Sequence, residues 1–172
     1  YIETTEGGIE SFREGRIVGN EITDRELSLG SSGCATGTGG AIAGSRRTNG
    51  NMGPSGAKVF GNYIHDFGCD AITSDLHHTF YLSNRNGTKV KSFELAWNHL
   101  KDNKVSNGLH IYDTGPCGDW TGPMNIHHNV VINQRQHGFS LQGGTCSTKL
   151  TMPVNVYNNL FINNGLGPEF VN

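Results

Sequence analysis

Three features of the sequence predict an all-β fold, a right-handed parallel β-helix of about five coils. One Asn recurs with ungapped flanks in five segments, an apolar residue stands at the same two places around it in each, and a second apolar strand follows each one.

The segments are Arg16–Asp24, Lys58–Asp66, Glu94–Asp102, Asn125–Asn133 and Asn155–Asn163, centred on Asn20, Asn62, Asn98, Asn129 and Asn159. Three residues before the Asn stand Ile17, Val59, Leu95, Ile126 and Val156. Two residues after it stand Ile22, Ile64, Leu100, Val131 and Phe161. An apolar period of two is a strand, since a helix would space its apolar residues three and four apart. The copies recur every 42, 36, 31 and 30 residues. One copy buries too little surface to be stable alone, so the copies must stack, with equivalent residues about 4.8 Å apart. The aliphatic columns then become a continuous core, with Leu95, Ile126 and Leu109 inside it. The Asn column becomes a ladder of side-chain amides bonded up and down the stack.

The second strand centres on Ile42, Ile72, Leu109, Phe139 and Phe170, with a small residue before the centre in Ala41, Ala71, Gly108 and Gly138. Residues 23–40 are a Gly-rich insertion in the first copy. The whole chain, 1–172, reads as a single β-helix domain. Both end coils lack caps, which points to a segment of a longer chain or to end-to-end self-association through those coils.

Composition agrees with a turn-rich fold. Gly accounts for 25 residues, charged residues for only 16%, and hydrophobic residues for 34%. A formal net charge of −2 leaves no electrostatic footprint for nucleic acid. No apolar run approaches the roughly 20 residues that cross a bilayer, so no membrane span is expected.

The flanks of the ladder Asn, Gly-Asn-x-Ile and Asn-x-x-x-Asn/Asp, resemble the parallel β-helix repeat of pectate-lyase-like proteins over roughly Arg16 to Asn172. The resemblance implies the fold and not one chemistry, because lyases, hydrolases, epimerases and adhesins share it. It also implies a polysaccharide partner, generally an acidic one, lying along a flat strip of outward side chains.

On the second strand that strip comprises Thr73 and Asp75, then His110 and Tyr112, then Ser140 and Gln142. His110 and Tyr112 stand two apart and share a face, with Asp75 expected beside Tyr112 in the adjacent coil. A His next to a Tyr or a carboxylate can act as general base and acid, which makes His110, Tyr112 and Asp75 the candidate catalytic set. His77, His78 and Asp113 are expected just past the strand end, and His77 and Gln142 are candidate substrate contacts. Removing the proton α to a uronate carboxyl also needs a cation, for which Arg85, Lys91 and Arg135 are available, Arg135 being taken as the substrate-binding one. The alternative is that all these residues are a solvated strip stacking on itself.

A second outward patch holds Tyr63, His65, His99 and Lys101, where a sugar could stack on Tyr63 and pair with Lys101, or which is simply a mixed polar edge. Phe60, His127 and Tyr157 form an outward aromatic column, either a sugar platform or a surface packed under something else. Adjacent strand residues face opposite ways, so neither His77-His78 nor His127-His128 is expected to place both rings in one metal site. The column Asp24, Asp66, Asp102 could hold calcium, but Asn replaces Asp in copies four and five, so turn capping is preferred and no metal or cofactor is assigned.

Cys34, Cys69, Cys117 and Cys146 form no CxxC. Cys117 and Cys146 fall at nearly matching points one coil apart, about 4.8 Å, within the Cα separation a disulfide tolerates. The expected bridges are Cys117–Cys146 and Cys34–Cys69, with four buried thiols in a cytosolic protein as the alternative. Bridges indicate an extracellular or cell-surface protein, as does the sequon Asn86-Gly87-Thr88, a candidate glycosylation site. The expected function is a secreted carbohydrate-active module that binds a polysaccharide and could cleave it as a lyase or hydrolase. The alternative is a non-catalytic structural or adhesive β-helix.

Overall fold

The computed structural model describes residues 2–4, 9–10, 14–24, 39–45, 56–68, 77–84, 92–113, 122–143 and 153–171. Among them every regular element is a strand. In chain order these are β1 (Ile2–Thr4), β2 (Ile9–Glu10), β3 (Arg16–Val18), β4 (Glu21–Asp24), β5 (Gly39–Ser45), β6 (Lys58–Phe60), β7 (Tyr63–Phe67), β8 (His77–Asn84), β9 (Phe93–Ala96), β10 (His99–Asn103), β11 (Leu109–Asp113), β12 (Met124–His127), β13 (Val130–Gln134), β14 (Phe139–Gly143), β15 (Val154–Tyr157), β16 (Leu160–Ile162) and β17 (Glu169–Val171). No helix among the described residues is long and apolar enough to cross a membrane.

Every third strand returns to the same sheet. Sheet A runs β1-β4-β7-β10-β13-β16, sheet B runs β17-β14-β11-β8-β5-β2, and sheet C runs β15-β12-β9-β6-β3. All the pairings are parallel. Three parallel sheets visited in rotation fit a parallel β-helix, because parallel neighbours require a crossover and here the other two sheets supply it.

Register follows the repeat. Ile17, Val59, Leu95, Ile126 and Val156 pair in succession through sheet C. Ile22, Ile64, Leu100, Val131 and Phe161 do the same through sheet A. Leu95, Ile126 and Leu109 are buried in one core with Ile22, Ile64, Phe80, Leu100 and Phe139.

The second strand departs from expectation in two copies. Ile72 is not the centre in the second copy: Phe80 pairs with Ile42 and Leu109, and the strand is β8. In the last copy Phe170 pairs with Leu141, two residues beyond Phe139. Ile72 itself lies outside the described residues.

The corners explain the polar part of the repeat. Between sheets C and A the residue before the ladder Asn is left-handed in every coil: Gly19, Gly61, Trp97, His128 and Asn158. The Asn that follows satisfies this corner. Asn62 Nδ2 donates to the Oδ1 of Asn98 (2.9 Å), to Ile17 O (3.0 Å) and to Phe60 O (3.2 Å), while its Oδ1 accepts from Asn20. Asn98 bonds to Asn129, and Asn129 to Asn159, in the same way. Between sheets A and B a second left-handed column holds Asp66, Asp102, Asn133 and Asn163. It is followed by a buried polar series that the repeat did not advertise. Asn103 Oδ1 accepts from the N–H of Val105 and Ser106, and Gln134 N–H donates to Asn164 Oδ1. Gly108 sits where this corner meets sheet B. A Cβ there would lie 2.6 Å from Val131 Cγ1 and 2.8 Å from Gly138 O, so the backbones close up only because it is absent.

Candidate functional site

The outward side of β8 and β11 gathers His78, Tyr81, His110 and Tyr112. Thr79 turns inward to bond Gln134 Oε1 at 2.9 Å and Asn103 Nδ2 at 3.0 Å. This kink lets the two adjacent histidines part. His77 packs edge-on against core Phe67, with ring centroids 4.9 Å apart. His78 joins the outward group. Its Nδ1 lies 2.9 Å from Ser106 Oγ and its Nε2 lies 2.7 Å from His110 Nδ1. Tyr81 stacks on His78 at 5.2 Å and meets His110 edge-on at 5.5 Å. Tyr112 is tilted against His110 at 5.9 Å.

Burial dominates the chemistry. His110 is only 7% exposed and His78 is nearly closed off. Burial first, then the neighbouring His110 and His77, lower the pKa of His78 to about 2. His78 is therefore neutral and carries one ring N–H. Of its two contacts, one nitrogen donates and the other accepts, which orients the Ser106 hydroxyl and the His110 ring together.

Four residues of the sequence-predicted strip share this face. His110 has Ser140 beside it, and Tyr112 has Gln142 beside it, in the next strand. The residue paired with Tyr112 in β8 is Ser83, and Asp75 lies outside the described residues. His77 and His78 open β8 and do not trail its end. Arg85, Lys91, Asn86 and all four cysteines, hence both expected bridges, also lie outside the described residues.

Arg135 stands apart, exposed at the corner after β13, where its Nη1 donates to Lys104 O at 3.3 Å. It lines a shallow groove of about 680 Å³ with Asp66, Asp102, Lys104 and Asn133. Within that groove burial pushes the Asp102 carboxyl up. Hydrogen bonds from Asn133 Nδ2 (2.7 Å) and Lys101 Nζ (3.1 Å) outweigh this and hold it below the ordinary carboxylate value. The same hydrogen bond with Asp102 raises the pKa of Lys101. Asn163 Nδ2 donates in turn to Asn133 Oδ1 at 2.8 Å, so the Asx column is tied into its own ladder. Among the described residues no cluster of three or more His, Cys, Asp or Glu is placed to hold a metal ion.

Tyr63 and Lys101 lie on the outward side of sheet A. Tyr63 stacks on His65 at 4.3 Å, and His65 contacts Asp66 and Glu21 through its two ring nitrogens, at 2.8 and 3.1 Å. His99 lies beside Tyr63 at 5.1 Å.

On sheet C the expected aromatic column is present. Phe60, Ala96, His127 and Tyr157 pair in succession, and Trp97 leans across the gap that Ala96 leaves. His127 and Tyr157 stack at 4.8 Å, so much of their ring surface is spent on each other. His127 and His128 do not diverge as expected. Their Nδ1 atoms lie 2.9 Å apart, because His128 is outside the strand at the left-handed corner. Ser106, His78 and Trp97 were missed as site residues, and only the long-range fold brings them to these partners. Compared with known protein families, with curated proteins and with solved structures, the chain matches none.

Proposed function

We propose that the chain is a right-handed parallel β-helix of the pectate-lyase-like kind, secreted, that binds an acidic polysaccharide along the outward side of sheet B. On this proposal it cleaves the polymer with His110 and Tyr112 as proton-transfer groups. The carrying observation is the contact of His78 with His110 between adjacent coils, flanked by Tyr81 and Tyr112. Neutral His78 holds the His110 ring in place, as a base must be held for proton transfer. Right-handedness rests on the strong bias of parallel crossovers. Incubation with uronate and neutral polysaccharides, reading unsaturated-uronate absorbance and reducing ends together, tests the activity. Elimination raises both signals and hydrolysis only the second. Silence on every polymer removes the catalytic part. Alkylation without reduction followed by mass spectrometry tests secretion: four alkylated cysteines would remove the bridges and the case for an oxidising compartment.

A second reading, a non-catalytic scaffold that associates with itself, is favoured by one observation. On the outward side of sheet A, Val130 and Ile132 of β13 continue into Leu160 and Ile162 of β16 as an apolar strip, whereas the equivalent positions of β7 and β10 carry Tyr63, His65, His99 and Lys101. Light scattering across a concentration series tests it, with a constant monomer mass as the opposing result.

A further inference from the structure

The corner between sheets C and A demands a left-handed residue in every coil, and the first two described coils meet the demand with Gly19 and Gly61. The next coil uses Trp97 at φ 57°. A large aromatic residue is among the least suited to that conformation. The core does not require it, since the side chain is 57% exposed. Strain held at an exposed aromatic residue points to function.

The indole lies against three neighbouring rings. Trp97 stacks on His128 at 5.4 Å and meets Phe60 and His127 edge-on at 5.9 and 5.2 Å. On the N-terminal side the corners are bare. A Cβ built at Gly61 or at Gly19 would meet no atom within 4 Å. Two bare corners in succession leave an open ledge of about 10 Å along the stack, twice the coil spacing, beside the indole.

In the neighbouring column of sheet C, Arg16, Lys58 and Glu94 stand in successive coils. Glu94 is shared between Lys58 at 3.7 Å and His127 at 3.0 Å. Such a site offers an apolar plane with hydrogen-bonding groups at its rim. Its complement is a ring with an apolar face and a hydroxylated edge. We propose that Trp97, with the ledge at Gly61 and Gly19, is a binding site for a neutral pyranose of a polysaccharide. It lies on a different sheet from His110 and does not depend on the catalytic proposal.

The test uses the full chain with Trp120→Phe, so that Trp97 is the sole indole. Cellohexaose, xylohexaose and mannohexaose are titrated by emission and by calorimetry, with hexagalacturonate as the charged comparison. At least one neutral hexamer should bind saturably, shift the indole emission, and bind equally at low and high salt. Trp97→Gly restores the residue found at the two preceding corners, and Gly61→Asn fills the ledge with the residue already accepted at Asn158. Each should retain the wild-type melting temperature and weaken binding at least ~10-fold, the loss expected when a stacking Trp anchor is truncated. Absence of binding by all three neutral hexamers, or equal binding by folded Trp97→Gly, overturns the proposal.

Discussion

Asn98 donates its side-chain amide to the Oδ1 of Asn129 at 2.9 Å while its own Oδ1 receives both the backbone N–H and the Nδ2 of Asn62. The same amide group also donates to Val59 O. Every polar atom of this buried side chain is thus spent inside the stack. Asn98→Ala should cost roughly 2–4 kcal/mol, because it takes the acceptor from the buried N–H and Nδ2 of Asn62 and one of two donors from Asn129 Oδ1, which keeps the Asn98 backbone N–H. Asn159→Ala, at a half-buried rung, should cost visibly less. Urea denaturation of both variants checks the order, and equal costs would mean that the ladder does not carry the corners.

Leu95 is enclosed between Val59 and Ile126 in the adjacent coils of sheet C. Truncation to Ala removes its transfer free energy and leaves a cavity that two flanking strands hold open. The expected loss is about 2–5 kcal/mol. A measured loss under ~1 kcal/mol would place the column on the wrong side of the sheet.

His78 makes stability depend on pH. The unfolded chain binds its proton near pH 6.5, while the folded chain does so only near about 2. Below pH 6.5 the unfolded state therefore holds one more proton than the folded state. The stabilisation is fully present above pH 6.5 and is lost as pH falls from there toward 2. This single group contributes up to about 1.4 kcal/mol per pH unit in that window. His78→Gln should flatten the dependence. Denaturation midpoints for both proteins at neutral and mildly acidic pH decide it, and parallel slopes would count against a neutral His78.

If a polysaccharide is cleaved, His110→Ala and Tyr112→Phe should each lower turnover at least ~100-fold. Undiminished turnover in both moves the chemistry off sheet B. His78→Gln should shift the acid limb of the pH–rate profile, since His78 touches His110 and not the substrate.

By itself the sequence determined the stack. Every coil repeats an Asn with one apolar residue three places before it and another two places after it, and that pattern leaves one side of each strand for the core and one polar series for the corner. Leu95, Ile126 and the Asn62–Asn98–Asn129–Asn159 ladder follow from it without any knowledge of long-range contacts. His110 and Tyr112 could likewise be placed on one face, because neighbours two apart in a strand share it. Their partners across the sheet were decided only by tertiary structure. The gap between segments varies from 30 to 42 residues, and the apolar pattern alone could not choose between Ile72 and Phe80 as the strand centre. That choice moved Ser83 into the position assigned to Asp75. The corners added the rest. A left-handed residue leaves the strand's alternation, so His128 meets His127, and Trp97 projects from the surface although its coil follows the same repeat as the others. Period-two reasoning holds only while the backbone stays extended, and the side chains it misplaced stand where the chain turns or kinks.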